Sequence, residues 1–185
     1  MRLMLLGVCV LAAACGGQGL DVPSSPSALV PGLGTGTAVS GERAASLPFR
    51  GSFDLTSSAA VNCPPTCPPT TLTITGRQNG NGTHLGNFTA HTIDIVNMPT
   101  TQATGTLSLT AANGDQLFAT TAGAEDQFIP PNVSHVTQTA TITGGTGRFA
   151  GATGTFTVEH TSTIDFAAGT AIGSGSFDGY INLNR

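Results

Sequence analysis

Four histidines, ten acidic residues and four cysteines carry most of the chemistry that this 185-residue chain could perform. His160 has the parity of Phe156, Val158 and Ile164 in an alternating segment, so it should point into a core. His84 joins it if two hairpins share one register: Thr73-Ile74-Thr75-Gly76 precedes Phe88-Thr89 by the same spacing that separates Thr141-Ile142-Thr143-Gly144 from Phe156-Thr157. That register also turns Phe88 inward, and Ile93 and Ile95 then need a bulge near His91 to reach the core. Inward histidines could contact a ligand or act as general acid or base near neutral pH. A hydrogen-bonded core histidine is the plainer alternative. His91 and His135 share faces with threonines and should be solvated, and Asp54 and Asp178 read as surface charges. No spacing brings three or four ligands together, so neither a metal site nor a cofactor is expected. There is no Gly-x-Ser-x-Gly elbow, and no complete catalytic set emerges, so an enzyme is the less favoured reading.

The cysteines report compartment rather than catalysis. Met1-Arg2 followed by an apolar run from Leu3 to Ala14 has the proportions of a secretory signal and is too short to span a bilayer. The run ends Leu11-Ala12-Ala13-Ala14-Cys15-Gly16, which resembles the bacterial lipobox. That resemblance implies cleavage after Ala14, acylation of Cys15, and export to the outer membrane or cell surface. Cys63 and Cys67 remain as an even pair in an oxidising compartment, where a disulfide is expected. Closing so short a loop would contribute on the order of 2 kcal/mol.

Three segments follow: a signal peptide at 1–14, the lipidated cysteine with a Gly/Pro/Ser-rich tether at 15–47, and one domain at 48–185. The tether is too poor in apolar residues to fold alone. Only 9% of the chain is charged and lysine is absent, so a nucleic-acid partner is excluded and strong charge steering is not expected. Membrane attachment should come from the lipid alone, the domain having no basic or apolar membrane-seeking surface.

From Phe49 onward apolar and small polar residues alternate with period two, which gives eight strands and an all-β fold. Their inward residues include Phe49, Phe53, Leu72, Ile74, Leu107, Leu109, Ala140, Ile142, Phe156, Val158, Phe177 and Ile181, while threonines face water. The expected turns are Asn79-Gly80-Asn81-Gly82 and Ala112-Asn113-Gly114. One-sided burial and short hairpins favour an eight-stranded antiparallel barrel, with a two-sheet β-sandwich as the alternative. An outer-membrane barrel would need aromatic girdles, which nine Phe, one Tyr and no Trp do not supply.

The densest motif runs Gly144-Gly145-Thr146-Gly147-Arg148-Phe149-Ala150-Gly151-Ala152-Thr153-Gly154. It matches a dinucleotide fingerprint only formally, because a strand and not a helix follows it. The glycines suit a tight strand-to-strand crossing, Phe149 can plug one end of a core, and Arg148 can fix the turn through backbone carbonyls. This stretch resembles the strand-turn-strand signature of the allene oxide cyclase and dirigent barrel superfamily. The resemblance implies an eight-stranded antiparallel barrel with an apolar bore. Its catalysis does not carry over residue by residue: dirigent proteins use inward Asp, Arg and Tyr, and cyclases a glutamate, whereas Tyr180 and Glu159 both have outward parity here. The favoured reading is therefore a lipid-anchored barrel that binds a small apolar ligand in its bore or acts as a surface structural module. The alternatives are an isomerase or cyclase using His160 and His84, and a protein-interaction module marked by an exposed apolar patch.

Overall fold

The computed structural model describes residues 46–62 and 70–184. Cys15, Cys63, Cys67 and the tether up to residue 45 lie outside these residues, whereas Ser46 and Leu47, expected in the tether, already belong to the first strand and pair with the last. Eight strands follow one another in the chain: β1 (Ser46–Asn62), β2 (Thr71–Gly82), β3 (Gly86–Asn97), β4 (Gln102–Thr110), β5 (Gln116–Ile129), β6 (Val133–Gly145), β7 (Thr153–Asp165) and β8 (Thr170–Asn182). Each is antiparallel to its neighbours, and β1 pairs with β8 from Ser46↔Asn182 to Ser58↔Thr170. This pairing closes a single sheet into a barrel, which removes every free edge and rules out the sandwich. The architecture implied by the glycine-rich stretch is thus the one the chain adopts.

The alternation places the inward residues as expected, with Phe49, Leu117, Ala140, Phe149 and Ile181 fully buried. Call the end where Ser46 enters the near end; its turns are 83–85, 111–115 and 146–152. The far end carries the turns 98–101, 130–132 and 166–169. Four rings fill the near half of the bore. Phe49 lies 5.0 Å from Phe156 and 4.8 Å from Phe177, and Phe177 lies 5.9 Å from Phe88. Edge-to-face and tilted contacts of this kind add about 1 kcal/mol each beyond area burial. Leu85, Leu109, Leu117, Phe149 and Ile181 close the floor below them.

An eight-stranded barrel is only wide enough for its own side chains, so large inward residues must face small ones. Strand glycines provide the space. A Cβ on Gly51 would stand 2.5 Å from the Phe177 ring, and one on Gly80 would stand 2.8 Å from Phe88. This requirement corrects one expected turn. Asn79 to Gly82 remain in β2, because Gly80 and Gly82 are needed under the rings, and the chain reverses at Thr83–Leu85 instead. His84 there takes φ +61°, Asn81 donates to Asn87 across the hairpin at 3.0 Å, and the Thr83 hydroxyl donates to the Pro48 carbonyl at 3.1 Å. The Ala112-Asn113-Gly114 turn forms as expected, with Gly114 at φ +88°.

The glycine-rich crossing folds as strand, 3-10 turn (Gly147–Phe149) and strand. Phe149 is the plug, fully buried at the near end. Among the described residues Arg148 bonds no backbone carbonyl: its backbone N–H donates to the Asp115 carboxylate at 3.2 Å, its guanidinium donates to the Asn113 side-chain oxygen at 3.4 Å, and it lies 5.0 Å from the Phe149 ring centre. Asn113 and Arg148 together hold the Asp115 carboxyl below its ordinary pKa.

Candidate functional site

Above the aromatic stack, polar side chains join apolar ones such as Leu55 and Ala103 on the inner face of the middle and far half of the bore. Gln78, Thr92, Asp94, Thr121, Ser134, Gln138 and Ser162 are all buried. The same large-against-small rule positions them: Gly76 faces Thr92, Gly105 faces Asp94, Gly123 faces Gln138 and Gly173 faces Ser162. Asp94 lies at the centre of one cluster. Its Oδ1 accepts from the Thr121 hydroxyl at 2.8 Å and from the Gln138 amide at 3.2 Å. Burial raises the Asp94 pKa, and the two hydrogen bonds only partly oppose it.

His160 occupies the wall beside this cluster, between its register partners Val136 and Gly175. Its Nδ1 lies 3.2 Å from the Ser162 hydroxyl. Burial pushes its pKa down from 6.5 to about 4, with the His135 charge adding to the fall and Asp126 opposing it. His160 is therefore neutral at pH 7. Ser134, the register partner of Ser162, donates to the Glu125 carboxylate. Among the described residues no fully buried side-chain polar atom lacks a partner.

The two histidines do not converge. His84 sits half-buried in the Thr83–Leu85 turn, and Leu85 takes the inward position in its place. No bulge forms near His91: β3 keeps one register, Thr92 and Asp94 point inward, and Ile93 and Ile95 stand exposed outside. Register irregularities lie instead between β5 and β6, one at Thr143 opposite Phe118 and Ala119 and one at Asp126 on β5, beside His135. There the Asp126 carboxylate bonds His135 at 2.6 Å and Thr137 at 2.8 Å, which lowers its pKa. Asp178 pairs with Arg50 at 3.1 Å on the surface. Tyr180 and Glu159 face outward. No cluster of three metal-binding side chains occurs among the described residues.

The bore is also not uniformly apolar, and the expectation of a domain without apolar surface fails at the far end. Val61, Met98, Phe128, Ile129, Phe166 and Ile172 are all exposed there. Phe166 is 67% and Ile172 66% exposed, and the Phe166 ring lies 6.4 Å from that of Phe128. Beside them runs a groove of about 600 Å³ lined by Pro131, Asn132, Ile164, Asp165, Phe166 and Ile172, with Thr163, Thr170 and Ala171. The Asp165 carboxylate caps its own turn, accepting from the N–H groups of Ala167 and Ala168. Sequence alternation could not reveal this groove, because it forms where the far ends of β7 and β8 meet the turn residues Pro131, Asn132 and Phe166.

No protein-family model matches the sequence, and no curated protein matches it. Among solved structures, the chain is similar to a pterocarpan synthase dirigent protein at 16% identity, covering 76% of this chain and 90% of that one with a TM-score of 0.44. A second pterocarpan synthase dirigent protein aligns at 12% identity, over 74% and 96% of the two chains, with a TM-score of 0.46.

Proposed function

We propose that the protein is an exported, lipid-anchored binding module that takes a small apolar molecule at the far end of its barrel. Cys15 supplies the anchor to the outer membrane or cell surface in this reading. The far-end groove carries the proposal. It is an open groove, but its volume of about 600 Å³ and its mostly apolar lining with a few polar groups fall within the range of small-molecule sites. The near half of the bore, by contrast, is filled by its own phenylalanines, so a ligand has no room there. Native mass spectrometry of the full chain bearing Cys15→Ser should detect a bound apolar probe such as a long-chain fatty alcohol, and Phe166→Ser with Ile172→Ser should abolish it. Binding that ignores these substitutions, or no binding at all, would overturn the reading. The same Cys15→Ser chain should be released from membranes.

A second reading, an isomerase or cyclase, is favoured by one specific observation. Asp94 and His160 share one bore, and their environments push their pKa values in opposite directions. Burial disfavours the charged form of both, so a neutral Asp94 could donate a proton and a neutral His160 accept one. Asp94 then takes the place expected for His84. Substrate turnover lost in both Asp94→Asn and His160→Gln would support it, and a bore closed to any substrate would end it.

A further inference from the structure

The far-end groove holds one charged side chain, and its surroundings decide which kind of apolar molecule the groove suits. Asp165 ends β7 at the groove wall, and its Oδ1 accepts from the N–H groups of Ala167 and Ala168 at 2.9 and 3.0 Å. Those two bonds fix the orientation of the carboxylate. Its Oδ2 makes no hydrogen bond among the described residues. The ion pairs there join Arg50 with Asp178, His135 with Asp126 and Arg148 with Asp115, so none neutralises Asp165. The described arginines stand elsewhere, Arg50 and Arg148 at the near end and Arg77 midway along β2, while Asp126 adds a second carboxylate on the far half of β5. The far end therefore presents negative charge.

Aromatic rings stand beside this carboxylate. Phe166 follows Asp165 in the turn from β7 to β8 and lines the groove, and Phe128 at the end of β5 brings its ring to 6.4 Å from that of Phe166, tilted by 56°. Both rings are exposed. The face of an aromatic ring is the negative end of its quadrupole and attracts a cation, an ammonium group above all when a carboxylate shares the site. Pro131, Ile164, Ala171 and Ile172 supply an apolar wall for the rest of a ligand. A neutral amphiphile gains from that wall alone, and a fatty carboxylate is repelled by Asp165. An alkyl chain that ends in a cation uses the wall, the rings and the carboxylate together. We infer that the far-end groove selects amphiphiles whose alkyl chain ends in an ammonium group, with Asp165 as counter-ion and Phe166 and Phe128 against the cation. The inference rests on the reading of this groove as a small-molecule site.

Equilibrium dialysis of the full chain bearing Cys15→Ser at pH 7, below micelle formation, tests this with probes of one chain length: dodecanol, dodecanoate, dodecylamine and dodecyltrimethylammonium. Both ammonium probes should bind about threefold or more tighter than dodecanol, and dodecanoate about threefold or more weaker. Asp165→Asn keeps an Oδ1 acceptor for Ala167 and Ala168, so it should leave dodecanol binding unchanged and abolish most of the ammonium advantage. Phe128→Leu keeps an apolar side chain and should weaken the ammonium probes alone. Thermal melts of each variant separate loss of the site from loss of fold. Dodecylphosphocholine distinguishes two sources of the cation: binding as tight as that of dodecyltrimethylammonium supports a phospholipid headgroup, and weaker binding supports a free amine. Dodecanol binding with no ammonium advantage, or an advantage that survives Asp165→Asn, would overturn the inference and leave the small-molecule reading standing. No binding of any probe would overturn both.

Discussion

Replacing His160 by Gln should remove a large part of the stability that the barrel loses between pH 6.5 and pH 4. In the folded chain burial holds the His160 pKa at about 4, against 6.5 for the exposed side chain. As pH falls from 6.5 toward 4, the unfolded chain takes up a proton that the folded chain refuses. The His160 contribution therefore falls across that window and levels off well below pH 4, where both states are protonated, while the lowered Asp115 and Asp126 go on losing stability there equally in both forms. The full drop corresponds to about 3 kcal/mol. Glutamine keeps a hydrogen-bonding group beside Ser162 and does not titrate. Urea unfolding of both forms at pH 7, 6, 5 and 4 should show the wild type losing about 3 kcal/mol more than His160→Gln over the range. Asp94 acts with the opposite sign: its raised pKa gives stability that is complete below 3.8 and lost as pH rises through its folded value. It is present in both forms, so it cancels from the difference. An unchanged pH slope in His160→Gln would refute the assignment of His160 as a buried neutral group, as would an NMR titration of His160 near 6.5.

Asp94→Asn retains an Oδ1 acceptor for Thr121 and Gln138 and removes the buried ionisation. It should raise stability at pH 8 by about 1 kcal/mol while leaving it unchanged at pH 3, as read from denaturant midpoints. Phe149→Ala opens the near-end plug and should cost about 3 to 5 kcal/mol in the same assay. Gly105→Val would drive a side chain into the Ile93 carbonyl and Asp94, and should cost about 3 kcal/mol and disperse the Asp94 cluster, read by NMR as faster exchange of the Thr121 hydroxyl than in the wild type.

Strand count, the inward parity of Phe49, Phe53, Phe156 and Phe177, and the Phe149 plug were legible because period-two alternation is a local property of a half-buried strand. Closure was not, since the β1–β8 ladder joins residues more than a hundred positions apart and alternation is identical in a sandwich. The β2–β3 turn was misplaced for a related reason. Asn-Gly is a local turn signal, but Gly80 sits where Phe53 and Phe88 leave no space for a Cβ, and that demand comes from across the bore.

The polar belt had a sequence signal that hydrophobic parity hides. Reading inward positions only by apolar residues passes over Asp94, Thr121 and Gln138, because each interrupts an apolar series. Their cross-strand partners are Ile74 and Gly105, Gly105 and Ala140, and Gly123 and Val158. In a narrow barrel a glycine at inward parity marks a large side chain facing it, whatever its polarity. Gly105 and Gly123 at inward parity therefore point to the two groups that meet at Asp94. Burying a carboxyl without partners would cost several kcal/mol, so Thr121 and Gln138 are needed wherever Asp94 is retained. The retained Asp94 and His160 are the part of the bore that packing alone does not explain, since apolar side chains of equal volume would fill the same space without buried titratable groups.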